Sequence, residues 1–238
     1  MLFQEIVGLV RVILILIPQP ILGIVFLFLA FKILKRRSTR ISITLSGFYI
    51  LLGIAMILNV LFLLLSSTQN SLLLLGIYFF ILYFILTAFI FVSLFIIQMN
   101  RAQDFTLKTQ ISIILIYAFL SFLLLTFPNG IKLSSETNWI PIFSWEFLVV
   151  FYLYFTIIIV VPTIIYSNKL YHKFKDPNLK KRLRFLISGI FEGFIVIYGT
   201  ALFNTWQDPL FKFAWSLITV VLLLSLSFFI YYGIGSNL

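Results

Sequence analysis

The stretch Leu72–Gln98 reads LLLLGIYFFILYFILTAFIFVSLFIIQ and carries no charged side chain. A helix rising 1.5 Å per residue needs about 20 apolar residues to cross roughly 30 Å of hydrocarbon. This run is longer than that. Its apolar residues are continuous rather than alternating, which fits a spanning helix and not a strand of a transmembrane barrel.

Six further runs of the same kind lie on either side, at about 6–34, 41–65, 107–127, 145–167, 183–203 and 210–232. The expected fold class is therefore all-α. The chain reads as a polytopic membrane protein whose residues 1–238 form one seven-transmembrane-helix bundle. Pro18-Gln19-Pro20 interrupts the first run. Proline lacks a backbone donor and kinks or starts a helix, so one long helix kinked at Pro18/Pro20 is expected.

Composition agrees. The chain is 62% hydrophobic and 10% charged, with a mean hydropathy of +1.16. A water-soluble globule could not cover such a chain with polar surface. That excludes a soluble enzyme, a nucleic-acid-binding domain and a disordered chain. The net charge of +10 suggests no nucleic-acid partner here, because the charges gather in a few connections between spans. With no cysteine, there is no disulfide framework and no thiolate metal site. No positively charged segment precedes the first apolar run, so a cleaved signal peptide is not expected.

Lysine and arginine set the expected orientation, since they favour the cytoplasmic side. One set of alternate connections carries Lys32, Lys35, Arg36, Arg37 and Arg40, then Arg101 and Lys108, then Lys169, Lys173, Lys175, Lys180, Lys181, Arg182 and Arg184. The opposite set carries Arg11, Lys132 and Lys212. This places the N-terminus outside and the C-terminus inside a cell (plasma) membrane. Trp139, Trp145 and Trp206 fall at the outer span ends, where amphipathic rings favour the interface. Trp215 sits on the same side, a little deeper.

The catalytic motifs sought, a Gly-x-Ser-x-Gly, a His-Glu-x-x-His and a phosphate-binding glycine loop, do not occur. No enzymatic activity, cofactor or metal is expected. The single histidine, His172, lies among Lys173 and Lys175 in the basic inner loop 168–183 and reads as a solvated side chain.

Glu192 is the acidic residue near the centre of a span. A carboxylate is costly in hydrocarbon and usually faces a bundle interior or cavity. At 100° per residue, Ser188, Gly189, Glu192, Gly193, Gly199, Thr200 and Asn204 share one half of the sixth helix. Phe191, Phe194, Ile195, Ile197 and Tyr198 share the other. The polar half is expected to face protein and the aromatic half lipid. Gly189 and Gly193 have the Gly-x-x-x-Gly spacing that allows close helix packing. Two roles fit Glu192: a ligand, ion or proton site, or a protonated carboxyl hydrogen-bonded to a neighbouring helix, with Asn59 as a candidate partner.

A second candidate ligand site is the outer mouth, where Glu146, Trp145, Asp208, Lys212 and Trp215 begin the fifth and seventh spans, with Glu5 and Arg11 at the same level; the same residues also fit interfacial anchoring and charge pairing. The basic surface of Lys173, Lys175, Lys180, Lys181, Arg182 and Arg184 fits lipid headgroups, at roughly 1 kcal/mol per residue, or a docking partner in the cytoplasm.

Several seven-helix families do not fit. Retinal proteins need a lysine midway along the seventh helix, where this chain has Ser216 to Val221. The Asn-Pro-x-x-Tyr motif of G-protein-coupled receptors is missing from the seventh span. Proline-glutamine-loop transporters carry a second copy of the dipeptide in helix five, where this chain has Pro162-Thr163.

The run Asp176-Pro177-Asn178-Leu179-Lys180-Lys181-Arg182-Leu183-Arg184-Phe185-Leu186-Ile187-Ser188-Gly189 resembles the lead-in to helix six of the seven-helix N-terminal sensor region of prokaryotic histidine kinases. The exit from helix five, Tyr166 to Lys173, and the end of helix seven, Phe229 to Ile234, are similar as well. In that family the region continues into PAS, dimerisation or kinase domains, whereas the chain ends at Leu238. The resemblance implies a non-enzymatic sensor module whose output passes to a separate cytoplasmic signalling protein at the basic loop. The alternative is a small transporter or channel using Glu192 for proton or cation coupling.

Overall fold

The structure is a computed structural model that describes residues 12–13, 15–36, 39–101, 105–137 and 139–234. It contains seven long apolar helices, each long enough to cross a membrane: α1 (Pro18–Arg36), α2 (Arg40–Leu65), α3 (Ser71–Asn100), α4 (Leu107–Leu125), α5 (Trp145–Lys173), α6 (Pro177–Thr205) and α7 (Pro209–Ile234). The protein is thus an all-α, multi-pass membrane protein.

Short polar connections start the helices. Thr39, Asn70, Thr106, Ser144 and Asp176 each accept a bond from a backbone N–H in the first turn of α2 to α6. The Asp208 carboxylate does the same for Phe211 in α7. Such caps satisfy donors that a helix leaves unpaired. Pro177 occupies the first turn of α6, where its missing N–H costs nothing.

One sequence expectation needs revision. The expected basic loop over 168–183 is almost entirely helical: α5 runs to Lys173, α6 begins at Pro177, and only Phe174, Lys175 and Asp176 connect them. Long lysine and arginine side chains reach water from helical turns, so a basic segment need not leave the helix. The connection between α4 and α5 folds as an antiparallel hairpin, β1 (Ile131–Lys132) against β2 (Ile142–Phe143), with Ile131 opposite Phe143. Phe143 is 3% exposed and lies between Tyr78 and Phe147, with ring centroids 6.2 and 5.1 Å away.

At the start of the bundle, Val12, Ile13, Ile15 and Leu16 are helical, Ile17 is a turn, and the helix resumes at Pro18. The helix is interrupted at Ile17, beside Pro18, and residues 6–11 and 14 of the expected first span lie outside the described residues. In α5 the turns over Thr156–Val160 are π-helical, a rare geometry that locally rotates one part of a helix against the other.

α3 is the central helix: 61% of its apolar window is buried, against 11% for α7. It packs on α2, α4 and the second half of α5, whereas α1 leans chiefly on α2, and α7 on α6. Around Phe89 the rings of Phe48, Phe155 and Phe194 meet edge-on or tilted at 5.6–5.7 Å, the preferred geometry of aromatic pairs. This cluster closes the middle of the bundle. The end carrying the hairpin, Trp139, Trp145 and Trp206 is hereafter the tryptophan end, and the opposite one the basic end.

Candidate functional site

Two amide bridges frame the site. Gln19 lies in the first turn of α1, and the Asn59 side-chain amide on α2 donates to its Oε1 at 2.7 Å. On α6 the Asn204 amide donates to the Tyr78 hydroxyl on α3 at 3.1 Å. Polar groups at membrane depth pair in this way because hydrocarbon supplies no partner.

Between the two bridges is a cavity of about 470 Å³, walled by α1, α2, α3, α6 and α7, with Pro141 of the hairpin at its tryptophan end. This is the size of a small-molecule site. A second chamber of about 140 Å³ shares Ala55, Met56 and Thr200 with it and reaches down to Phe89, Phe151 and Leu226.

Trp215 forms part of the α7 wall. Its indole stacks on Phe211, and Phe211 on Trp206, with centroids 6.4 and 4.8 Å apart. The Trp215 Nε1–H is buried and has no acceptor among the described residues. One and four positions after Trp215, the Ser216 hydroxyl donates to the Lys212 carbonyl, and the Thr219 hydroxyl donates to the Trp215 carbonyl. Both hydroxyls belong to cavity-wall residues, and both retain oxygen lone pairs.

The structure thus brings two of the sequence-derived candidates, Asn59 and Trp215, to one cavity. It sets the other two elsewhere. Glu192 lines neither chamber. It is half-buried at the α6–α7 seam beside Ser225, and its Oε2 is buried with no partner among the described residues. Asn59, the partner expected for it, is bonded to Gln19 instead. Glu146 is exposed in the first turn of α5. Asp208 caps α7, and Lys212 donates to Gln207 Oε1. Glu5 and Arg11 lie outside the described residues.

The expected division of α6 into a polar protein face and an aromatic lipid face holds only in part. Gly189, Gly193, Gly199 and Asn204 are buried, but so are Phe194 and Ile197. The Phe194 ring is drawn inward by Phe89 and Phe155. Thr200 is exposed because it lines the open cavity. A Cβ on Gly193 would meet the Phe89 ring at 3.3 Å, so this glycine admits a side chain rather than a helix backbone. Close backbone approach occurs elsewhere: a Cβ on Gly53 of α2 would lie 3.1 Å from the Gly23 carbonyl of α1, and one on Gly233 of α7 would lie 2.8 Å from the Leu186 backbone nitrogen of α6.

At the basic end, several predicted docking residues are already engaged. The Tyr171 hydroxyl on α5 accepts from Arg184 Nε at 3.0 Å and from its Nη2. Lys180 Nζ sits 5.4 Å from the same ring centre. Lys173 donates to the Asn100 carbonyl at the end of α3, a favourable place for a cation. Lys175 and Lys181 are exposed, and Arg182 is partly so.

Gln19, Tyr78, Thr200, Asn204, Ser216 and Thr219 were not singled out as ligand residues from sequence. Their common signal is a set of polar side chains, amides above all, at the same depth of four different spans. The chain matches no family model, no curated protein and no solved structure.

Proposed function

We propose that this membrane protein is a non-enzymatic sensor module, oriented with its N-terminus outside the plasma membrane, in which occupancy of the cavity sets the position of α6 and α7. The observation that carries this reading is the make-up of the cavity wall. It joins α1, α2 and α3 on one side to α6 and α7 on the other, while α7 leans chiefly on α6. An occupant that touches both sides binds two arrangements of the α6–α7 pair with different affinity, which is what shifting a population requires. α6 continues to the basic end, where Arg184 and Lys180 grip Tyr171 of α5. Movement of α6 therefore reaches the Phe174–Asp176 connection and the exposed Lys175 and Lys181, where a cytoplasmic signalling protein would dock. The resemblance of residues 176–189 to the sensor region of histidine kinases supports the same reading.

The test is recovery of partners from the native membrane in mild detergent, using the wild type and a Lys175→Glu, Lys181→Glu, Arg182→Glu variant. A kinase or response regulator that is held by the wild type and lost from the variant supports the proposal. Recovery of the same proteins by both, or of none by either, overturns it.

A second reading rests on the Glu192 Oε2, buried beside Ser225 without a partner among the described residues: a transporter or channel coupled to a proton or cation. Proton flux into proteoliposomes that disappears in Glu192→Gln would favour it over the sensor.

A further inference from the structure

We infer that the cavity takes an uncharged amphiphile from the membrane itself, a molecule with one apolar chain and a hydroxyl, ester or amide head. This rests on the sensor reading and names its ligand class.

Access is the first argument. At the tryptophan end the cavity is covered by the hairpin, with Pro141 in its wall and Phe143 packed against Tyr78. Its rim is apolar and outward-facing instead: Ile17 just before α1, Ile21 in its first turn and Leu224 on α7 are 58, 57 and 65% exposed. The described residues therefore open the cavity sideways, between two helices that each lean chiefly on another neighbour. What faces such an opening in a membrane is hydrocarbon.

The head comes next. No described wall residue of the larger chamber is ionisable at neutral pH. A charged head would be buried without a counter-charge, which is costly in this setting. The wall does offer neutral partners of both kinds. The Asn59–Gln19 bond uses one donor and one acceptor, leaving the Gln19 amide donors and the Asn59 carbonyl. Ser216 and Thr219 spend their protons on backbone carbonyls and keep acceptor lone pairs. A hydroxyl, ester or amide is matched by this set.

The tail follows from the deeper chamber. It is smaller, about 140 Å³ against about 470 Å³ for the chamber it adjoins, and ends on Phe89, Phe151 and Leu226. An apolar chain directed towards the aromatic cluster fills it, with the head left at the level of Gln19 and Asn59.

Trp215 in the wall supplies the reporter. Trp139→Phe, Trp145→Phe and Trp206→Phe leave it as the sole tryptophan. The protein is placed in phosphatidylcholine vesicles. The probes are a dodecanol carrying bromine a few carbons from its hydroxyl, the sulfate ester of the same alcohol, and a brominated phosphatidylcholine as the bulk control. The expected result is saturable quenching of Trp215 by the alcohol, at least tenfold weaker apparent binding of the sulfate, and linear quenching by the bulk lipid. Asn59→Leu should weaken the alcohol by about tenfold, the scale of one lost hydrogen bond. Thr219→Phe should abolish saturation by filling the wall. Both variants are accepted as folded only if the unquenched Trp215 spectrum is retained.

Linear quenching by the alcohol, as would follow if a second copy or residues 1–11 of the chain filled the cavity, overturns the inference. So does equal binding of the sulfate, or binding indifferent to Asn59→Leu. Saturable binding combined with a failed partner test would remove the sensor reading alone. A passed partner test without alcohol binding would remove the ligand class alone.

Discussion

The Trp215 indole lies directly against the α6 backbone at Gly199: a Cβ built on that glycine would fall 1.8 Å from the ring. The relationship fixes both the spacing of α6 and α7 and the shape of the cavity wall. Gly199→Val must therefore push the ring away or the helices apart. Overpacking of this kind costs about 1–3 kcal/mol. In the variant with Trp215 as its sole tryptophan, Gly199→Val should lower the melting temperature in detergent and shift the Trp215 emission maximum. Gly76, whose added Cβ would meet nothing within 4 Å, serves as the control, and Gly76→Val should leave the emission unchanged.

The Gln19–Asn59 bridge should behave as a unit. Replacing either residue by leucine strands the other amide in an apolar wall, at about 1–3 kcal/mol for the unsatisfied group. Replacing both removes the stranded partner. The double variant Gln19→Leu, Asn59→Leu should then be less destabilised than the sum of the single changes, with a coupling of about 0.6 to 2 kcal/mol. Reversible unfolding of the four proteins in detergent measures this, and strict additivity would show that the bridge does not form.

A seven-helix all-α bundle was legible because runs such as Leu72–Gln98 leave their residues no other way to satisfy backbone donors in hydrocarbon. Other features rest on groups that meet only in three dimensions. The hairpin has strands of two residues each, too short to leave a period, and is held by where Phe143 packs. The inward turn of Phe194 depends on Phe89 and Phe155, which come from other helices. The cavity was partly visible, since Asn59 and Trp215 stood out as polar groups within or near spans. Gln19, Tyr78 and Asn204 gain meaning only once α1, α3 and α6 are brought side by side. The helical course of residues 168–173 and 177–183 was hidden because a run of cations reads as a loop when only its charge is considered.

A polar chain at the basic end should carry stability rather than signal. Gln98 donates to Gln110 at 2.8 Å, Gln110 to Thr44 at 2.9 Å, and Thr44 to the Arg40 carbonyl at 2.9 Å, linking α3, α4 and α2. Gln98, Gln110 and Thr44 are all buried. Gln110→Leu breaks two links at once and leaves Gln98 Nε2 without its acceptor, so a loss of about 1–3 kcal/mol is expected. Alcohol binding at the far end of the bundle should stay within twofold of the wild type. A large loss of binding with intact stability would show that the two ends are coupled through α3.

The orientation expected from the lysine and arginine pattern can be tested without engineering a background, because the natural chain has no cysteine. Ser135 lies in the hairpin connection and Lys175 in the turn between α5 and α6, and both are exposed. A cysteine at either place therefore reacts freely with a maleimide once the reagent reaches it. Ser135→Cys should be labelled in intact cells by a membrane-impermeant maleimide, and Lys175→Cys only after the membrane is opened. The reverse pattern would place the basic end outside. Lys175, Lys181 and Arg182 could then not dock a cytoplasmic protein, and the output of the proposed sensor would have to leave from the tryptophan end.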